Sequence, residues 1–265
     1  MHCWGNQAAR MIDLGFRSGA VAAVAAAILV AGCGDDDAGD DEGGELTVSA
    51  AASLSDAFEA YGETVAGEER FSFAGSDELA AQIRQGAQPD VFASANTTYP
   101  DDLAAEGLVA EPVEFARNEL VIAVPADSVI DSIDDLAEPG LDLVIGAEGV
   151  PVGDYTQEVL DRLPEAEAEA IRDNVRSEES DVKGVIGKVA QGAADAGFAY
   201  RTDIAAASDE VREVELPPRL EPQVAYGIAV VEGATEPQKA QEFVDGLLDR
   251  DGLRALTDAG FLAPG

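Results

Sequence analysis

The chain has 265 residues, enough for two lobes of roughly 100 residues each with cores of their own. Its 53 acidic and 16 basic residues give a formal net charge of −37 at pH 7, which repels nucleic acid and anionic lipid surfaces. Length and charge therefore exclude a small disulfide-stapled module and a nucleic-acid-binding protein.

The first 32 residues are typical of an export signal. Arg10 and Arg17 precede an apolar run at 20–31, whose twelve residues are too few to cross a bilayer. The run ends in the sequence VAGC at 30–33, which resembles the lipobox of bacterial lipoproteins. That resemblance implies cleavage before Cys33 and lipidation of its thiol. The alternative is an ordinary signal peptide followed by an unmodified cysteine.

Removal of residues 1–32 restricts the chemistry of the mature chain. It removes the only histidine and the only tryptophan, and it leaves Cys33 as the only cysteine. Zinc sites of the Cys/His kind, hydrolases that need a histidine base, and CxxC redox sites each lose a required residue. We therefore expect no metal ligated directly by side chains, no cofactor and no enzymatic activity.

Residues 33–45 are expected to form a lipidated cysteine followed by a tether. The stretch at 34–44 reads GDDDAGDDEGG, with almost nothing apolar to bury and with carboxylates that repel one another. Such a composition predicts a disordered, extended segment.

From Leu46 onward, short apolar strands alternate with amphipathic helices. Strands are recognised as β-type runs and helices by apolar residues at the spacing of one helical stripe. The pattern predicts strands at 46–50, 71–73 and 91–95, each followed by a helix, the last of them around 101–106.

A second α/β set lies between two unbroken apolar runs at 120–124 and 224–231, which we interpret as paired crossing strands of a hinge. Helices after the second run return to the first lobe. Within the second set the pattern predicts strands at 143–146, 196–200 and 211–216, and helices at 155–163, 166–175 and 182–189.

These elements predict an α/β protein with two lobes, each containing a mostly parallel sheet. The first lobe would comprise residues 46–122 and 224–265, and the second residues 123–223. The ends of two sets of strands would then face each other across a cleft, where α/β proteins bind ligands.

Several loops that enter helices are candidate anion sites, because helix N-termini present free N–H groups. In the first lobe these loops contain Ser53 and Ser76; taken singly, each serine is better explained as a helix cap. The second lobe offers the Gly/Pro loop at 149–155, the stretch at 180–184 with Asp181 as an expected cap, and Tyr200 at a strand end. Taken singly, Tyr200 and Val182 are better explained as ordinary core residues. Five helix or strand ends that converge on one cleft favour an anion site instead, because tight anion binding needs many donors aimed at one point.

Short motifs in a fixed order carry a family resemblance. They are VSAAASL (48–54), FAGS (73–76) with LA (79–80), QGA (85–87) with PDVF (89–92), VPVGDY (150–155), DVKG (181–184), GFAY (197–200) and GF (260–261). Together they resemble the periplasmic molybdate-binding proteins. The resemblance covers residues 46–261 and implies a periplasmic-binding-protein fold of type II, with two lobes joined by a two-strand hinge.

The resemblance also implies the ligand-binding residues. In that family, hydroxyl groups and backbone amides from both lobes hold the oxyanion. These roles fall here on Ser53, Ser76, Val152, Val182 and Tyr200. The chain departs from the family at Val152, where alanine is frequent, and at Gly75, where serine is frequent.

The resemblance implies an exported, monomeric binding protein that captures molybdate or tungstate for an ABC permease and is held to the membrane by its lipid alone. A cleft for sulfate, another small oxyanion or a carboxylate is the nearest alternative. For a carboxylate, Arg117 or Arg201 would supply the cation. A secreted hydrolase with Ser53 or Ser76 as nucleophile would lack a histidine base.

Overall fold

A computed structural model describes residues 44–65 and 68–265 of the chain. The expected signal peptide, Cys33 and most of the expected tether lie outside the described residues. Within the described ranges, no helix is both long and apolar enough to cross a membrane.

The described chain alternates strands and helices as the sequence pattern predicts. In chain order the elements are β1 (Leu46–Ala51), α1 (Ser55–Gly62), β2 (Glu69–Ala74), α2 (Ser76–Arg84), β3 (Val91–Ser94), α3 (Thr98–Ala105), β4 (Val113–Asn118), β5 (Leu120–Pro125), β6 (Leu143–Gly146), α4 (Pro151–Asp161), α5 (Glu165–Asn174), β7 (Val175–Glu179), α6 (Val182–Ala190), β8 (Ala196–Tyr200), α7 (Arg201–Ala206), β9 (Val211–Val214), β10 (Val224–Val230), α8 (Pro237–Leu248) and α9 (Arg250–Asp258).

The strands form two five-stranded sheets, one in each lobe. Their orders are β2-β1-β3-β10-β4 and β7-β6-β8-β5-β9. The α/β fold with two lobes is thus confirmed, but each sheet is mixed rather than mostly parallel. In each, two neighbouring pairs are parallel and two are antiparallel.

The interpretation of the two apolar runs as paired crossing strands was wrong. β5 pairs with β8 and β9, whereas β10 pairs with β3 and β4, so each strand lies wholly in one sheet. The chain changes sheet at Glu119, before the expected boundary after residue 122, and returns through residues 215–223. A buried strand reads as a continuous apolar run whether or not it crosses between lobes, so the pattern could not separate the two cases.

Three elements were missed. β4 was not predicted, and neither was the short helix α7. β7 begins at Val175, which the pattern had placed at the end of a helix, and its residues alternate between half-buried and exposed at the edge of the second sheet. With Arg176, Glu178 and Glu179 among its five residues, β7 carries little of the apolar signal that marks a strand.

Local sequence explains the elements that position the cleft. In the helix predicted at 182–189, four apolar residues at the spacing of one helical stripe form the buried face of α6: Val182, Val185, Ile186 and Val189. Asp181 caps this helix as expected, because its carboxylate accepts a hydrogen bond from the N–H of Gly184 at 2.8 Å. β8 is buried at all five positions, which holds Tyr200 rigidly at its end.

Candidate functional site

Loops from both lobes converge on one small cavity. All five residues named from the sequence line it, namely Ser53, Ser76, Val152, Val182 and Tyr200. The cavity therefore brings together residues from five segments that are far apart in the sequence.

Three helices begin at the cavity wall. Ser76 is the first residue of α2, Val152 the second residue of α4 and Val182 the first residue of α6. The N–H groups of a helix's first turn have no carbonyl one turn earlier to pair with, and the helix dipole adds partial positive charge there. Three such termini around one cavity favour an anion without any charged side chain.

Neither serine acts as a helix cap, so that alternative is wrong. Gly75 occupies the cap position of α2, and Ser76 Oγ instead accepts a hydrogen bond from the N–H of Ala95 at 3.1 Å. Ser53 lies in the turn before α1, and its hydroxyl bonds to the hydroxyl of Tyr226 at 3.0 Å. Each serine is buried and lines the cavity.

Tyr200 combines a packing role with a free hydroxyl group. Its ring, 1% exposed, packs edge-on against Tyr155 and Tyr226 at centroid distances of 6.5 and 5.9 Å. Among the described residues its hydroxyl has no hydrogen-bond partner. Burial, followed by the neighbouring Tyr226, raises the pKa of Tyr200 well above its usual value. The phenol therefore stays protonated and can donate.

The cavity wall carries no cation in the part of the chain that the structure describes. Asp181 is the one charged residue that lines it, and its carboxylate is engaged with the start of α6. Arg117 pairs with Glu114, while Arg201 pairs with Glu119, Glu213 and Glu215. Neither arginine lines the cavity, so the carboxylate alternative lacks its cation.

Lys183 is a basic residue that directly follows the cavity-lining Val182 in the sequence. Its ammonium lies 3.1 Å from Asp56 Oδ2 in the first lobe and 3.4 Å from Asp203 Oδ1 in the second. The Asp203 side chain is completely buried. Burial raises the pKa of Asp203 to about 6, and the nearby Lys183 limits that rise.

Further contacts join the lobes around the cavity. The Tyr99 hydroxyl of α3 donates to the carbonyl of Gly149 at 2.5 Å. At Gly75 a methyl group would clash with the carbonyl oxygen of Ser180 in the second lobe. Sequence reasoning missed these contacts, because no local pattern reveals which residues face each other across a cleft.

Fold and site together define a two-lobed binding protein with a cleft suited to a small anion. Residues 46–262 match the family described as bacterial extracellular solute-binding proteins, and the chain belongs to this family. It is 39% identical to the molybdate-binding protein ModA of Mycobacterium tuberculosis, over 95% of this chain and 99% of that one.

Two further relatives extend the comparison. The chain is 31% identical to the putative ABC transporter substrate-binding lipoprotein YvgL of Bacillus subtilis, over 92% of this chain and 96% of that one. The solved periplasmic molybdate-binding protein of Azotobacter vinelandii superposes with a TM-score of 0.74 at 21% identity, over 83% of this chain and all of that one. At that identity the superposition supports the fold alone.

Proposed function

We propose that this protein captures molybdate or tungstate in the cleft between its lobes and delivers it to an ABC permease. One observation carries the proposal: uncharged donors from both lobes meet at a single small cavity. Ser53 and Ser76 would each donate through a hydroxyl group and a backbone amide. Tyr200 would add its hydroxyl group, and Val152 and Val182 their backbone amides. The 39% identity to a molybdate-binding protein over nearly the whole chain supports this ligand.

Neutral donors can supply the affinity that a transport protein needs. A hydrogen bond to a charged acceptor contributes roughly 1.5–3 kcal/mol, so about seven of them offset the cost of association and reach submicromolar affinity. Burial in the cavity strengthens each bond, because the local dielectric constant is lower than that of water.

The same donor set determines selectivity. Phosphate keeps at least one proton at neutral pH, and that O–H would point at another donor in a cavity that offers few acceptors. Molybdate, tungstate and sulfate are fully deprotonated there and avoid this conflict. Cavity size then separates sulfate from the larger anions, and the buried side chain of Val152 contributes to that size.

Membrane attachment would come from a lipid on Cys33, and we expect the protein to act as a monomer. The support is the VAGC sequence at 30–33 and the similarity to a relative described as a lipoprotein. A Cys33→Ser substitution should move the protein from the membrane fraction to the soluble fraction. Continued membrane association of that variant would contradict lipid anchoring.

We assign no catalytic role to Ser53 or Ser76. The only histidine in the sequence is His2, inside the expected signal peptide and outside the described residues. Ser76 Oγ accepts a backbone N–H rather than donating to a base. Both serines are therefore better suited to hold an anion than to attack a carbonyl.

Thermal unfolding of the mature protein with different anions tests the proposal. A ligand at 100 times its dissociation constant stabilises the folded state by about 2.7 kcal/mol, which raises the melting temperature measurably. Molybdate and tungstate should do this at micromolar concentrations, whereas sulfate and phosphate should not. Equal stabilisation by sulfate would refute the selectivity, and no shift with any of the four anions would refute the function.

A further inference from the structure

Four buried polar side chains connect the crossing between the lobes to the cavity. Asn118 is the last residue of β4, immediately before the chain enters the second lobe. Its Nδ2 donates to Thr202 Oγ1 at 2.9 Å and to Tyr226 Oη at 3.3 Å. Tyr226 Oη is in turn 3.0 Å from Ser53 Oγ. None of the four side chains is more than 7% exposed.

The direction of these hydrogen bonds is fixed at Asn118. Its Oδ1 accepts the backbone N–H of Glu119 at 2.9 Å, so the amide nitrogen must face Thr202 and Tyr226. Within the described residues, Ser53 and Asn118 are the hydrogen-bond partners of the Tyr226 hydroxyl. Because Tyr226 Oη accepts from Asn118, its own hydrogen must go to Ser53 Oγ. Any other arrangement would bury an unpaired O–H, which is costly.

Ser53 therefore cannot donate its hydrogen to Tyr226, and that hydrogen is left for the cavity. Ser76 is held in a similar way, since its oxygen accepts the N–H of Ala95. Both serine hydroxyls thus receive a hydrogen bond from the first lobe and keep their own hydrogens free. A ligand O–H that used a lone pair of Ser53 would leave the Ser53 hydrogen without a partner.

We propose that Tyr226 and Asn118, neither of which lines the cavity, are positioning residues that orient Ser53 as a donor and so make the cleft reject protonated oxyanions. This inference rests on the proposed function, because it concerns how the same cavity distinguishes molybdate from phosphate. The selectivity of the site is then set partly at the crossing between the lobes.

Two substitutions alter the direction of the chain of hydrogen bonds. Tyr226→Phe removes the donor to Ser53 and lets its hydroxyl rotate. Asn118→Asp replaces the amide donor with an acceptor, so the Tyr226 hydrogen turns toward residue 118. The Ser53 hydrogen then turns toward Tyr226 Oη, and a Ser53 lone pair faces the ligand.

Matched controls separate this effect from a general loss of stability. Tyr61→Phe removes another buried phenol, which donates to the carbonyl of Phe243 at 3.2 Å. Asn174→Asp alters another buried amide, which donates to the carbonyls of Leu136 and Glu138 at 2.9 and 2.8 Å. Neither control residue lines the cavity.

The experiment measures the dissociation constants of molybdate and inorganic phosphate by calorimetry for the full mature chain and its variants. We expect Tyr226→Phe to weaken molybdate binding about tenfold and Asn118→Asp to weaken it more. The dissociation constant of phosphate divided by that of molybdate should fall by at least the same factor. In both controls the two dissociation constants should stay within about twofold of the wild-type values.

An unchanged ratio of the two dissociation constants in Tyr226→Phe overturns the inference. Equal weakening of both anions, as a purely structural role would give, is one such outcome. If Asn118→Asp does not fold, Tyr226→Phe decides alone. Failure of the wild-type protein to bind molybdate would instead refute the proposed function, and the inference with it.

Discussion

Lys183 Nζ lies 3.1 Å from Asp56 Oδ2, and this ion pair joins α6 of the second lobe to α1 of the first beside the cavity. The two side chains are 36% and 60% exposed, so solvent screens the pair and its contribution is at most about 1 kcal/mol. Because the partners belong to different lobes, that contribution is present only while the lobes are together.

We therefore expect Asp56→Asn to weaken molybdate binding about two- to fivefold, mainly through faster dissociation. The pair of Lys183 with the buried Asp203 remains in this variant. Stopped-flow measurement of the dissociation rate at low and high salt checks the prediction, since screening should abolish the difference from wild type. Glu106→Gln is the control, because it breaks the Arg84 pair within one lobe. The same effect in that control would contradict the assignment.

Asp203 makes the stability of the protein depend on pH. Burial raises the pKa of Asp203 from its usual 3.8 to about 6, so between these values the folded state binds more protons than the unfolded state. Stability conferred by the protonated group is therefore lost as pH rises through this window. This rise in the pKa of Asp203 corresponds to about 3 kcal/mol.

Asp203→Asn should remove this dependence. The free energy of unfolding of the variant, relative to wild type, should rise by up to about 3 kcal/mol between pH 4 and pH 7, as measured by urea denaturation. Asp90 provides a contrast, since hydrogen bonds from Thr47 and the Glu236 N–H outweigh its burial and lower its pKa. Asp90→Asn should therefore lose more stability at pH 7 than at pH 3. A pH-independent difference for Asp203→Asn would contradict the prediction.

Gly75 is expected to permit close approach of the lobes. Its backbone has φ −60° and ψ 139°, which alanine adopts without strain. The added methyl group would nevertheless clash with the Ser180 carbonyl across the cleft, and in its own lobe it would meet only the end of the Asp77 side chain, which can rotate away. Gly75→Ala should weaken molybdate binding about tenfold or more while leaving the melting temperature of the ligand-free protein nearly unchanged.

Gly187→Ala is the control for Gly75→Ala, because the nearest atom to its added methyl group is 3.7 Å away, the side-chain nitrogen of Gln191. Calorimetry of both variants measures the affinity. Small-angle scattering should show that molybdate compacts the wild type and the control but not Gly75→Ala. Full affinity in Gly75→Ala would show that the lobes tolerate a wider separation there.

Ser76→Ala and Tyr200→Phe should each remove one donor from the anion. The expected loss is about 1.5–3 kcal/mol, or about ten- to a hundredfold in the dissociation constant of molybdate. Titration calorimetry measures it, and Tyr61→Phe again serves as the control for a buried phenol. A loss of less than about twofold in both variants would place the anion elsewhere.

The sequence predicts the residues at the cavity better than it predicts their surroundings. Ser53, Ser76, Val152, Val182 and Tyr200 stand at the junctions of strands and helices, where local pattern and family resemblance both operate. These signals do not depend on which strands are neighbours in a sheet, and that is why they could be read from the sequence.

The connection from Asn118 through Tyr226 to Ser53 depends on long-range strand order. It exists because β10 lies between β3 and β4, which brings residue 226 beside residue 53 despite a separation of 173 positions. The sequence indicated that 224–231 was a buried strand, but nothing in that run specifies its neighbours. β7 was missed for the opposite reason, since its neighbours are clear in the structure while its composition is too polar to indicate a strand.

The absence of a cation from the described cavity wall has an electrical consequence. A protein that binds a dianion with neutral groups gives up no counterion from the site, so the loaded form is more negative than the empty form by the whole charge of its cargo. The protein is already acidic, and it carries this additional negative charge until it releases the anion to the permease. The net charge of the protein therefore differs between its loaded and empty forms.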